Sequence, residues 1–114
     1  MDLTVEIYRR AAKFPPSDIH RLVAQITRAA ASVPANIAEG HARATRKDFA
    51  NLVAIVKGSL METETFLMLA VRLSYLAEDE ASVALGLITE NSKMLTALRK
   101  RLKDADRPES HASL

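Results

Sequence analysis

Apolar residues recur every three to four positions along most of this chain, the spacing that lines one face of an α-helix. Leu3, Ile7, Ala11 and Phe14 mark a first helix over residues 3–14. Pro15 and Pro16 then end it, because neither can continue the hydrogen-bond ladder. Ser17 is placed to cap a second helix with Asp18 in its first turn, and that helix is expected to reach about Gly40, a residue suited to a C-terminal cap. Thr45 and Asp48 have the spacing of a capping box that opens a third helix, expected to run to about Leu76. The stretch AEDEAS supplies a turn and an acidic start to a fourth helix, whose core side is Ala84, Leu87, Ile88, Asn91, Leu95, Leu98 and Leu102. Four helices joined by short turns predict an all-α, antiparallel up-and-down four-helix bundle over residues 1–103, followed by a polar tail, 104–114, expected to be disordered. The competing arrangement is a helical hairpin that a partner completes.

Two of these helices carry more apolar surface than one buried face needs. On the second, Ile19, Leu22, Val23, Ile26, Val33 and Ile37 face the bundle. A row of small residues, Ala24, Thr27, Ala31, Ala35 and Ala38, admits a close neighbour, and Arg21, Gln25, Arg28, Ser32, Asn36 and Glu39 form a polar row. The third helix has a main side of Phe49, Leu52, Val53, Val56, Leu60, Leu67 and Val71 and a second row of Ile55, Glu62, Phe66, Leu69 and Leu73. This surplus predicts self-association; the alternative is that Phe66, Leu69 and Leu73 finish a thick core.

Pro34 falls inside the second helix and should kink it, leaving the Ala30 carbonyl without its usual donor; Asn36, one turn away, is a side chain able to bond nearby backbone. Glu62 interrupts an apolar row, and if buried it needs a donor. A partly buried polar network of Arg28, Ser32, Asn36, Glu39 and Glu62 is therefore expected, its basic role being to fix helix register and subunit packing.

At 114 residues the chain is long enough for one core, and with 4% aromatic residues and only 3 Gly its apolar content suits helices rather than strands. It has no cysteine, which excludes disulfides and thiolate chemistry. No apolar run approaches the length of a membrane span, and a start with Asp2 and Glu6 does not read as a secretion signal, so a soluble, cytoplasmic protein is expected. The net charge of +2 is unevenly spread: residues 1–57 hold 9 Lys/Arg against 5 Asp/Glu, and residues 58–114 hold 7 against 9.

Catalysis finds little support. No Glu is followed three residues later by His, as di-iron bundles require, and the 3 His lie at a helix start, a turn and the tail. No metal, cofactor or catalytic residue is expected, and no nucleophile–base pair or phosphate loop accompanies the carboxylates. The chain reads as a non-enzyme. The best anion-binding candidate is the turn GHARATRK, with His41, Arg43, Arg46 and Lys47 beside the positive N-terminus of the third helix. In an antiparallel bundle the basic run Arg99, Lys100, Arg101 and Lys103 ends near it. These seven Arg and Lys residues are the candidate nucleic-acid-binding set, and repetition around an oligomer would strengthen a modest patch. Few exposed aromatics argue against base stacking on single strands.

Several runs are shared with a known family: Lys13-Phe14-Pro15, Ile26-Thr27-Arg28-Ala29-Ala30, Ser32-Val33-Pro34-Ala35-Asn36-Ile37-Ala38-Glu39-Gly40, and Gly58-Ser59-Leu60 with Glu62 and Glu64. Over roughly residues 4–103 the chain resembles the four-helix-bundle proteins of the large ribosomal RNA intervening sequences, also called S23-like. The resemblance implies an up-and-down bundle and ring-like homopentamers. The family name records where members are encoded, which is not a biochemical activity. A related branch, the accessory proteins of diversity-generating retroelements, is pentameric, strongly basic and binds nucleic acid and a reverse transcriptase. The sequence expectation is thus a homo-oligomeric scaffold binding RNA or a ribonucleoprotein at a basic end, or alternatively an adaptor that presents surfaces to a partner enzyme without nucleic acid.

Overall fold

The computed structural model describes residues 1–14, 20–42 and 45–105, and among these it contains four helices and no strand: α1 (Asp2–Ala11), α2 (His20–Ala42), α3 (Arg46–Arg72) and α4 (Glu78–Ala105). The Ser17 cap, Asp18 and Ile19 lie outside the described residues, as does the tail from residue 106 on. Each helix packs on its neighbours in a closed circuit, α1 on α2, α2 on α3, α3 on α4 and α4 on α1. This is a four-helix bundle. Its centre is built from Ile7, Ile26, Val53, Val56, Leu60, Leu67 and Ile88, each almost fully removed from water, and burying side chains of this size contributes on the order of 2 kcal/mol apiece.

All four residues that predicted the first helix, Leu3, Ile7, Ala11 and Phe14, are buried. On α2, Ala29 and Ala30 are fully buried, and their small side chains let neighbouring helices approach closely. The α2–α3 register is antiparallel and reads off three contacts: Arg28 pairs with Glu62, Ser32 bonds Ser59, and Gly40 sits against Phe49. Thr45 caps α3 as expected, its hydroxyl accepting from the Asp48 N–H at 3.1 Å. Glu80 closes the start of α4 by accepting from the Ala77 N–H at 2.9 Å.

Two expectations need correction. Helix α2 does not stop at Gly40 but runs on to Ala42, and Gly40 has no positive φ. Gly40 is there for space: a Cβ would lie 2.8 Å from the Phe49 ring. Helix α3 stops at Arg72 rather than near Leu76. Ser74 takes the left-handed conformation (φ 63°), so the Ser74 N–H reaches the Val71 carbonyl and the Tyr75 N–H the Ala70 carbonyl. That is a Schellman close with serine in glycine's usual place, and it turns Leu76 into the core and Tyr75 against the Phe14 ring.

Pro34 falls inside α2, as expected. Its missing N–H orphans the Ala30 carbonyl, and the donor that replaces it is the Thr4 hydroxyl of α1 at 3.0 Å. Asn36 bonds nearby backbone as expected, donating to the Ser32 carbonyl at 2.8 Å.

Of the second row of α3, only Phe66 packs against the core. Ile55, Leu69 and Leu73 are exposed and Phe66 is half-buried. Ala24, Ala35 and Ala38 of the small-residue row on α2 are exposed as well. Thr27 and Ala31 are half-buried, so each row is covered only in part by the described residues of one chain.

Candidate nucleic-acid interface

The last turns of α4 run beside the first half of α3, because the two helices are antiparallel neighbours. Arg99, Lys100 and Lys103 recur at the spacing of one helix face, and that face meets Lys57 of α3. The four cations, with Thr96 and Asp104, line a cleft of about 380 Å³. Lys57 and Arg99 are half-buried, and the Arg99 Nε is shut off from water with no hydrogen-bond partner among the described residues. Four positive groups converging from two rigid helices suit a ligand with several negative oxygens, such as a phosphate backbone.

The other sequence candidates fall differently. Arg46 and Lys47 are exposed in the first turn of α3, about 15 Å along the helix from Lys57 at 1.5 Å per residue. Arg43 lies outside the described residues. Arg101 points away from the cleft and lines a groove between α2 and α4. The basic run is thus split between two faces of α4. His41 is held edge-on against Phe49, ring centroids 5.0 Å apart. Lys57 is the residue sequence reasoning missed: it stands 42 positions before Arg99, and only the α3–α4 register joins them.

Along the α2–α3 seam the expected polar network forms in part. Arg28 reaches Glu62 at 3.4 Å and also donates to Gln25 at 2.8 Å. The Ser32 and Ser59 hydroxyls share a 2.6 Å bond, and Asn36 joins through the Ser32 carbonyl. Glu39 is exposed at the next turn. The seam is more open than a buried network, since the Glu62 side chain is 49% exposed.

A second cluster was legible only as an i, i+4 spacing. Glu6 of α1 is buried, accepts from Arg10 Nε at 2.9 Å and lies 3.5 Å from Arg9. Arg10 also reaches Glu80 of α4 at 3.4 Å. The hydrogen bond to Glu6 drives the Arg10 pKa above its ordinary value, with the charges of Glu6, Glu80 and Asp79 adding to it against some desolvation. The cluster ties α1 to α4.

Among the described residues, no three His, Asp or Glu side chains gather as a metal-holding group, and no helix is long and apolar enough to cross a membrane.

The family profile described as "23S rRNA-intervening sequence protein" matches residues 1–97. A crystal structure of a protein with unknown function from the S23 ribosomal protein family of Bacteroides thetaiotaomicron VPI-5482 superposes with a TM-score of 0.74 at 29% identity, covering 87% of this chain and 96% of that one. No curated protein matches.

Proposed function

The chain belongs to the family of 23S rRNA-intervening sequence proteins, and from that premise we propose that it is a non-enzymatic, homo-oligomeric helical scaffold of the cytoplasm that binds RNA or a ribonucleoprotein through the basic end of its bundle. The observation that carries this reading is the cleft in which Lys57, Arg99, Lys100 and Lys103 converge. Arg46 and Lys47 extend the positive surface toward the α2–α3 turn. Oligomerisation is supported by the exposed row of Ile55, Leu69 and Leu73, which the described elements of the same chain cover only in part. Repeating the cleft on each subunit would then turn single weak phosphate contacts into one strong site by avidity.

The test is binding of structured ribosomal RNA, duplex DNA and single-stranded RNA across a salt series. The logarithm of affinity should fall linearly with the logarithm of salt, by about 0.7 per phosphate contact on single strands and about 0.9 on duplex DNA. Absence of binding at low salt would defeat the reading. A protein complex that survives high salt would favour the adaptor role in its place.

A further inference from the structure

Helix α1 has 10 residues, while the two helices it lies between, α2 and α4, have 23 and 28. Its Leu3, Ile7 and Ala11 fill the α2–α4 seam over the stretch it covers. The Thr4–Ala30 bond and the Arg10–Glu80 pair set its position, and with Met1 lying toward Val33 and Asn91 they show that it runs antiparallel to both flanking helices. Past the first turn of α1 the seam opens into a groove of about 700 Å³ between the C-terminal halves of α2 and α4, with Met1 in its lining.

The groove floor is apolar: Val33 and Ile37 on one side, Leu95 and Leu98 on the other. Met94, at the rim, is 63% exposed. From Asn91 to Arg101 the α4 wall is about 15 Å long, two to three helical turns. The far end carries His41 and Arg101, and among the described residues no acidic side chain lines any part of the groove.

We infer that this groove docks a short amphipathic helix of a partner protein, about ten residues long, with apolar residues at i, i+3 or i+4 and i+7 and an acidic first turn. Two observations select that occupant. The groove is continuous with a seam that already takes a helix of this pattern, since α1 opens with Asp2 and buries Leu3, Ile7 and Ala11. The charges also fit one direction. A helix following the line of α1 in the same sense places its N-terminus at His41 and Arg101, so its first-turn carboxylates meet their cations. Its positive dipole end likewise meets the negative C-terminal ends of α2 and α4. The groove lies on the opposite face of α4 from the basic cleft, so this site stands independently of RNA binding.

The probe is a 14-residue end-blocked peptide with leucines along one helical face and Asp-Glu in its first turn. It is compared with one bearing Lys-Lys in the first turn and one with serine for leucine, using fluorescence anisotropy on the full chain. The acidic peptide should bind, and the other two should bind at least tenfold more weakly. Met94→Glu, at an exposed rim position, should weaken it tenfold or more, and Arg101→Glu should transfer preference to the Lys-Lys peptide. Both variants should melt as the parent does. Lack of binding, equal binding of the acidic and basic peptides, or indifference to Met94→Glu would overturn the inference. So would a change in the mass of the free protein on Met94→Glu, because the groove would then be closed by a second copy.

Discussion

The Thr4 hydroxyl of α1 donates to the Ala30 carbonyl of α2 at 3.0 Å, filling the acceptor that Pro34 deprives of its helical partner. A defect in one helix thereby becomes the attachment point of another. Thr4→Val keeps the shape and removes the donor, and should cost about 1 kcal/mol in urea unfolding. In a Pro34→Ala background the restored backbone N–H at that position retakes the carbonyl, so the same change should cost almost nothing. Equal costs in the two backgrounds would show that Thr4 and Pro34 are not coupled.

Ser74 holds a left-handed conformation that is disfavoured by about 1 kcal/mol for residues with a Cβ. Its backbone N–H and that of Tyr75 close α3 whatever the side chain is. Ser74→Gly should therefore stabilise the protein by about 0.5–1 kcal/mol, read as a higher denaturation midpoint with an unchanged slope.

Gly40 should resist the opposite change. In an exposed helix interior Gly→Ala gains about 1 kcal/mol, but here the added methyl would meet the Phe49 ring at 2.8 and 3.0 Å. Gly40→Ala should lower stability by about 1 kcal/mol net, and the loss should shrink in a Phe49→Leu background, where the ring is gone.

Gly40 also shows where sequence reasoning reached its limit. Helix existence, the Thr45 cap and the buried faces of α1 and α4 follow from periodicity and end chemistry, which are local. A glycine near a turn reads locally as a cap, whereas its actual role depends on an aromatic ring nine positions later. The Thr4 donor and the Lys57 cation were hidden for the same reason, because each acts across a helix pair whose register spacing alone does not set. The division of Arg99–Lys103 was legible: 99, 100 and 103 share a helical face that 101 does not.

Glu62 and Arg28 form a pair with side chains 49% and 61% exposed. An exposed pair contributes no more than about 1 kcal/mol to a single subunit. Glu62→Ala should accordingly leave the subunit's helicity and melting close to the parent's. If the row of Ile55, Glu62, Leu69 and Leu73 forms the proposed subunit contact, the same variant should lower the mass of the protein in solution. An unchanged mass would remove Glu62 from any subunit contact.

The basic end can be dissected by the cation set each variant removes. Lys57→Ala with Lys100→Ala and Lys103→Ala takes three of the four positive groups from the cleft while leaving Arg99 in place. Arg46→Ala with Lys47→Ala takes the exposed first turn of α3, about 15 Å away. If the cleft holds the phosphates, the triple variant should weaken RNA binding at every salt concentration. It should also flatten the salt slope by about 0.7 for each single-strand phosphate that is no longer neutralised. The double variant should then produce a smaller loss of the same kind. A reversed order would put the primary contact at the helix start, where backbone N–H groups add to the two side chains. Parent-like binding by both variants would remove this end of the bundle from RNA recognition.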